Sequence, residues 1–279
     1  MGHHEYIYKR TTLKRMMIIV MSKLEAFILG IIQGLTEFIP ISSTGHLYLG
    51  RHLFGLDEAG LFLDTMLHVG TLLAVLVVYK DELLHILKNP FGKRSSLLLI
   101  GTIPAVIVGL LLNDLFDSIS KTGTTIGWEF LFTGFILWMA DGVKKGAKKM
   151  DNITYGDALF IGTFQAAAIF PAVSRSGLTI AAGLFRKLDR ETAAYFSFLL
   201  SIPTISGGIV LELGDLVSGN IEAVTLGSLI VATISSALCG YFAIVWMINF
   251  LKKRSLKVFA IYVWILGFTV LIFQLTGFF

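Results

Sequence analysis

An apolar stretch over residues 24–39 breaks at Pro40 and resumes over 45–54, and the break is crowded with Gln33, Glu37, Ser42, Ser43, Thr44, Gly45 and His46. Proline removes a backbone donor and interrupts a helix. In a bilayer, broken backbone survives only inside protein or beside a watery cavity. Each ionisable group at that depth costs about 2.5–3.5 kcal/mol on insertion scales. The stretch therefore reads as the floor of a polar site sunk into a membrane protein. A second stretch has the same form: 158–170 is apolar, Pro171 breaks it, and 177–185 resumes.

Six further segments, 61–79, 96–112, 126–140, 194–213, 224–250 and 258–275, approach the ~20 apolar residues a spanning helix needs. Only 15% of the chain is charged, with a mean hydropathy of +0.77, against about 25% charge in a soluble domain. These features predict an all-α polytopic membrane protein with about six spanning helices plus two re-entrant broken helices. Net charge is +4, and no basic run interleaves with aromatics, so the basic residues read as loop charge and not as a nucleic-acid surface. Cys239 is the only cysteine, so an intrachain disulfide is excluded. Residues 1–20 are polar and basic, and read as an extension ahead of a single membrane domain over 21–279.

The two broken stretches resemble each other. Gly30-x-x-Gln33 precedes Pro40, Ser43 and Gly45; Gly162-x-x-Gln165 precedes Pro171, Ser174, Ser176 and Gly177. Eleven residues separate glutamine from closing glycine in both. Each unit is followed by three spanning candidates, an odd number, so the second copy must sit upside down relative to the first. An inverted-topology repeat follows, with repeat one over about 21–142 and repeat two over about 156–279. Loop charge agrees. Lys80, Lys88, Lys93 and Arg94, then Lys144, Lys145, Lys148 and Lys149, then Arg186, Lys187 and Arg190, and last Lys252, Lys253, Arg254 and Lys257 alternate with acidic loops at Asp114 and Asp117 and at Glu212, Asp215 and Glu222. Basic loops mark the cytoplasmic side. The cations Lys9, Arg10, Lys14 and Arg15 resist this scheme, since they fall on the outer side.

Glu37 follows Gln33 by four residues, so both lie on one helix face. A buried carboxylate needs a cation, a metal ion or a proton. An interhelical hydrogen bond answers that need, and so does a divalent ion such as Mg2+, which takes few carboxylates plus phosphate oxygens. Ser43 with His46 three residues on is the unit of nucleophilic catalysis, a hydroxyl beside a base. Arg175, in the second break, must find an anion. Its fork matches phosphate or carboxylate, and a salt bridge to Glu37 or Asp64 is the plainer alternative. Ser174, Ser176 and the backbone amides opening a helix at Gly177 make an anion cradle. Ser42, Ser43 and Thr44 sit between Pro40 and Gly45, where small hydroxyls commonly serve as helix glue or caps, and a second helix N-terminus opens at Gly45. Two such helix N-termini facing each other suit a diphosphate. Asp64 and His68 share one face of the next span, as packing, support or a metal contact, and Arg51 faces a lipid head group or the interface.

With Glu37-Phe-Ile-Pro-Ile-Ser-Ser-Thr-Gly-His46 and Pro171-Ala-Val-Ser-Arg-Ser-Gly177, the sequence resembles the undecaprenyl-diphosphate phosphatase family, which recycles the polyprenyl carrier lipid and is linked to bacitracin resistance. The likeness runs from Met21 to the end. Gln33 and Glu37 match the first family motif; Ala172 stands where the second usually has glycine. The resemblance implies hydrolysis of a polyprenyl diphosphate to monophosphate and phosphate with a divalent cation, Mg2+ or else Ca2+. It implies Glu37, Ser43, His46, Ser174 and Arg175 as working residues. It also implies an active site opening to the outer face of the plasma membrane. The expected partners are the lipid substrate and membrane lipids, with a homodimer left open and no nucleic acid. In this reading Glu37 also holds the metal, Gln33, Ser42, Thr44, Gly45, Ser174, Ser176 and Gly177 bind substrate, and Ser43 attacks while His46 carries its proton; His46 activating water, or attacking itself, are variants. An anion carrier built on the same inverted repeat, and an intramembrane serine protease, are the rival functions.

Overall fold

The computed structural model describes residues 21–56, 61–218 and 224–277. The extension over 1–20 and Glu222 lie outside the described residues. Among the described residues the regular elements are all helices: α1 (Lys23–Phe38), α2 (Ser43–Phe54), α3 (Leu61–Val78), α4 (Lys80–Lys88), α5 (Lys93–Thr122), α6 (Ile126–Asp141), α7 (Tyr155–Ala167), α8 (Arg175–Phe185), α9 (Arg190–Ser218), α10 (Leu226–Lys253) and α11 (Lys257–Leu275), with one short 3-10 turn at Met150–Asn152.

The helix ends follow local chemistry. Ser22 and Glu25 form a capping box at the start of α1, and Thr154 with Asp157 does the same for α7. Gly55, at φ 65°, closes α2 in the left-handed region where a side chain would be strained. α1 and α7 stop where Pro40 and Pro171 follow shortly after.

Among the described residues, four helices are long and apolar enough to cross a membrane: Lys93–Leu112 in α5, Arg190–Glu212 in α9, α10 and α11. Phe62–Val78 and Lys80–Lys88, bent by 78°, supply a fifth if the pair is one span. The expected segment 126–140 is helical as α6, but its 16 residues reach about 24 Å at ~1.5 Å per residue, short of the ~30 Å hydrocarbon core. The two acidic loops are corrections. The backbone stays helical to Thr122, past a non-helical kink at Leu112, and α9 runs on through Glu212 and Asp215 to Ser218. Kinked or overlong helices hide their ends from a hydropathy reading.

The opening arm of each broken stretch packs on a helix from the other half of the chain. α1 lies along α10, and α7 lies along α5. Both approaches depend on the glycine of the Gly-x-x-Gln pattern: a Cβ at Gly30 would run into Ser235 and the Ala232 carbonyl, and one at Gly162 into the Gly101 carbonyl. Small residues let membrane helices meet backbone to backbone. α10 also packs on α3, and α6 on α11.

The basic loops gather at one end. Arg94 pairs with Glu82 and Asp151, Lys149 with Asp189, Arg190 with Asp141, and Lys252 with Glu191. Arg190 also donates to the Arg254 carbonyl, which brings the start of α9 beside the end of α10.

Candidate active site

The two breaks are built alike. Ser42 caps α2 by accepting from the Gly45 N–H at 3.2 Å, and Ser174 caps α8 by accepting from Gly177 at 3.1 Å. The capping serines are thus Ser42 and Ser174, each nine residues after its glutamine, Gln33 or Gln165. Each break also donates a hydroxyl to the other: Ser42 Oγ to the Pro171 carbonyl at 3.5 Å, and Ser176 Oγ to the Ile39 carbonyl at 3.2 Å. Ser42 has φ 74° and ψ 108°, a sparsely populated conformation for a residue with a side chain. Such a residue costs on the order of 1–3 kcal/mol and persists where its surroundings over-determine it. Here a proline, a cap and a cross-break hydrogen bond do so.

α6 holds the second break from behind. Glu129 Oε2 accepts from the Ala172 N–H, and one turn on Thr133 Oγ1 accepts from the Ser174 N–H at 3.1 Å. Both side chains are buried. The methyl of Ala172 fits because it faces Gly45, where an added Cβ would come within 3.0 Å of it and 2.6 Å of the Phe130 ring.

Between the breaks lies a cavity of about 270 Å³. Glu37 and Ser43 enter it from the first break, Arg175 from the second, His68 from α3 and Glu212 from α9. Glu37 is the hub. Its Oε1 receives Arg175 Nη2 at 2.9 Å, and its Oε2 receives Ser43 Oγ at 2.6 Å and Gln33 Nε2 at 3.0 Å. His68 Nε2 stands 4.0 Å from the same Oε2. His68 Nδ1 lies 2.9 Å from the Asp64 carbonyl, which can only accept, so Nδ1 carries the proton and Nε2 faces the cavity. Glu212 Oε2 accepts from Thr65 Oγ1 at 2.7 Å. Arg175 Nη1 is buried without a partner in the protein. A guanidinium with one N–H edge pinned and the other left without a partner is arranged for an anion.

The family-model description "Bacitracin resistance protein BacA" matches residues 26–269. The chain belongs to that family. It is 67% identical to "Undecaprenyl-diphosphatase 3" of Bacillus cereus, over 93% of this chain and 100% of that protein. It is 46% identical to "Undecaprenyl-diphosphatase" of Carboxydothermus hydrogenoformans, over 92% of this chain and 99% of the relative. A protein of the same name from Alkaliphilus metalliredigens is 41% identical over 91% and 100%. These names give no support to the anion-carrier reading.

Within this BacA-family chain, the expected site residues separate into three groups. Glu37, Ser42, Ser43, Thr44, Ser174, Arg175 and Ser176 line the cavity. Gln33, Gly45 and Gly177 do not line it. Gln33 sits fully buried behind Glu37 and steadies it, while the Gly45 and Gly177 amides are taken up by the caps. The amides left for an anion are those of the first helical residues, Ser43, Thr44, Arg175 and Ser176, which have no intrahelical partner. His46 stands apart. Its Nδ1 donates to the Ser42 carbonyl at 2.6 Å, and its Nε2 accepts from Tyr262 Oη at 2.8 Å. The ring stacks on Tyr262 with Phe130 edge-on. The expected Ser43–His46 pair is not formed, because the helical turn that carries His46 aims it at α11. Ser43 is paired with Glu37, and the histidine in the cavity is His68.

Arg51 pairs with Asp64 at 2.6 Å, so the Arg175–Asp64 alternative gives way to Arg175–Glu37. Glu129 and Tyr262 escaped the sequence reading. Glu129 had a signal, as a lone carboxylate in an otherwise apolar segment. Tyr262 had none, since tyrosine is ordinary in such a helix.

Proposed function

We propose that this chain hydrolyses a polyprenyl diphosphate, such as undecaprenyl diphosphate, to the monophosphate and inorganic phosphate. The names of its relatives support that substrate. The observation that carries the reading is Arg175, held by Glu37 beside the Ser43 hydroxyl with Nη1 unpartnered at the junction of two helix N-termini. Phosphoryl transfer is mostly positioning and charge neutralisation, and this cavity supplies both.

Ser43 Oγ attacks the terminal phosphorus while its proton passes to Glu37 Oε2, already its hydrogen-bond acceptor. The bond from that phosphorus to the bridging oxygen breaks, and the prenyl monophosphate leaves. The leaving monophosphate carries off the proton held by Glu37, which then takes one from water as that water attacks the phosphoserine; the bond from Ser43 Oγ to phosphorus breaks, Ser43 recovers its proton from Glu37, and phosphate is released. Arg175 and the first-turn amides of α2 and α8 steady the equatorial oxygens. Gln33 fixes the carboxylate, and His68 is the next proton-handling group. Glu37 and Glu212 are the cavity's two carboxylates. That donor set fits a divalent cation such as Mg2+ that draws its remaining oxygens from the diphosphate, and such an ion would neutralise charge on the transferred phosphoryl group.

The halves relate, in this reading, as inverted copies: α1 on α10 and α7 on α5 are the exchanged pair such a symmetry requires. The cavity opens to the outer side of the plasma membrane. α9 leaves the basic end at Arg190, and Glu212 lies ~33 Å further along it at 1.5 Å per residue. The basic end is cytoplasmic by the excess of Lys and Arg in its loops.

The test is phosphate release from a prenyl diphosphate by purified protein in detergent, with and without chelator, comparing wild type with Arg175→Ala and Glu37→Ala. Loss of turnover in both variants is expected. Equal rates in all three would remove the site.

A further inference from the structure

A second cavity, of about 620 Å³, lies between α5 and α7. Its walls are almost wholly apolar: Ile103, Ile107 and Leu112 on α5, Leu159, Ala166 and Ala167 on α7. Thr163 is the exception by composition, yet its hydroxyl is spent on the Phe160 carbonyl at 2.7 Å, so it presents its methyl. Pro104 lies within α5 along this groove, and the helix kinks at Leu112. Ile103, Ile107, Leu159 and Phe170 are all exposed.

The groove does not stop at the surface. Ile169 and Phe170, part of its lining, also line the polar cavity that holds Glu37 and Arg175. The apolar groove and the cationic pocket therefore adjoin at two shared side chains. We propose that this groove is the subsite for the substrate's polyprenyl tail, which leaves the active cavity over Ile169 and Phe170 and lies between α5 and α7. The inference rests on the diphosphate reading of the polar cavity. A ligand whose charged head sits on Arg175 must carry its tail out through an apolar opening, and this groove supplies one with the right chemistry. The acyl chain of a neighbouring phospholipid is the competing occupant.

The test compares kcat/KM for undecaprenyl and farnesyl diphosphate in detergent. Thr163→Trp fills the groove from an exposed position; Ile234→Trp places the same bulk on an exposed face of α10 outside it. The long-to-short ratio should fall at least tenfold in Thr163→Trp and hold in Ile234→Trp. An unchanged ratio in Thr163→Trp assigns the groove to bulk lipid and overturns the subsite. Wild-type protein that cleaves neither substrate overturns the diphosphate reading itself. A second measurement needs no variant: an undecaprenyl diphosphate with a diazirine on its tail is photolysed on wild-type protein. Adducts within 103–112 and 159–170, competed by unlabelled substrate, are expected. Adducts confined to other helices would sink the subsite.

Discussion

Ser43 donates its hydroxyl proton to Glu37 Oε2 across 2.6 Å, and His46 takes no part in that contact. The nucleophile and base of the proposed mechanism are therefore six residues apart in sequence and come from opposite sides of one proline break. Ser43→Ala and Glu37→Gln should each lower kcat by about 10²–10⁴. The double variant should be no worse than the poorer single one, because residues acting as a unit do not add. Phosphate-release kinetics on all three proteins check this. Independent, multiplying losses would show that the two side chains act separately.

The two histidines should part company in a pH–rate profile. His46 braces the strained Ser42 turn against Tyr262. His46→Ala should lower kcat through that turn while leaving both limbs of the profile where they are. His68→Gln should remove a limb, since His68 Nε2 faces Glu37 inside the cavity. A limb lost with His46 instead would return proton transfer to it.

Arg175→Lys keeps the charge but loses the fork. A lysine can pair with Glu37 or reach an anion, whereas Arg175 engages Glu37 through Nη2 and keeps Nη1 free of any protein partner. kcat should fall by about 10³, the lower end of what arginine contributes in phosphoryl transfer. Turnover within a factor of a few of wild type would mean that point charge alone suffices.

Glu129 and Thr133 should act on catalysis from outside the cavity. Glu129→Leu strands the buried Ala172 N–H at a cost of about 1–3 kcal/mol and frees the break that sets Arg175. Glu129→Gln retains an acceptor there. kcat should drop in Glu129→Leu and recover in Glu129→Gln, with little change in KM. A loss of thermal stability alone, with kcat unchanged in the folded fraction, would make Glu129 merely structural.

Asp157 ties the basic end together, and it titrates where stability can be measured. Burial alone would raise its carboxyl, but the Thr154 N–H, Lys148 and Arg186 overcome that and bring it down to about 2 from 3.8. A depressed carboxylate stabilises the fold above its unfolded pKa and loses that contribution as pH falls through the folded one. Asp157→Asn should therefore melt below wild type at neutral pH. The gap should close between about pH 4 and pH 2. A gap independent of pH would point to packing, not charge.

Much of the architecture was legible because membranes punish unexplained polarity. Glu37, Ser43 and Arg175 stood out as costly groups beside broken backbone, and they meet in one cavity. The Gly-x-x-Gln spacing marked the two stretches as alike, and in the structure its glycines are where both arms pack closely. Side-chain direction was not legible. His46 and Ser43 are three residues apart at the start of one helix, yet the turn sends one to Glu37 and the other to Tyr262. Glu212 was hidden for a different reason: a helix that continues beyond its apolar span carries a residue expected in a loop back to the site.

The seat of α1 is α10, whose first residue lies some 200 positions later in the chain. The contact between α1 and α10 therefore cannot form until nearly the whole protein has been made. α7 meets the opposite situation, since α5 precedes it. The second hairpin can settle at once, while the first closes last, so the half that carries Ser43 and Glu37 is the one that signals a finished molecule. A chain truncated before α10 would hold Arg175 in place with no partner carboxylate assembled to meet it.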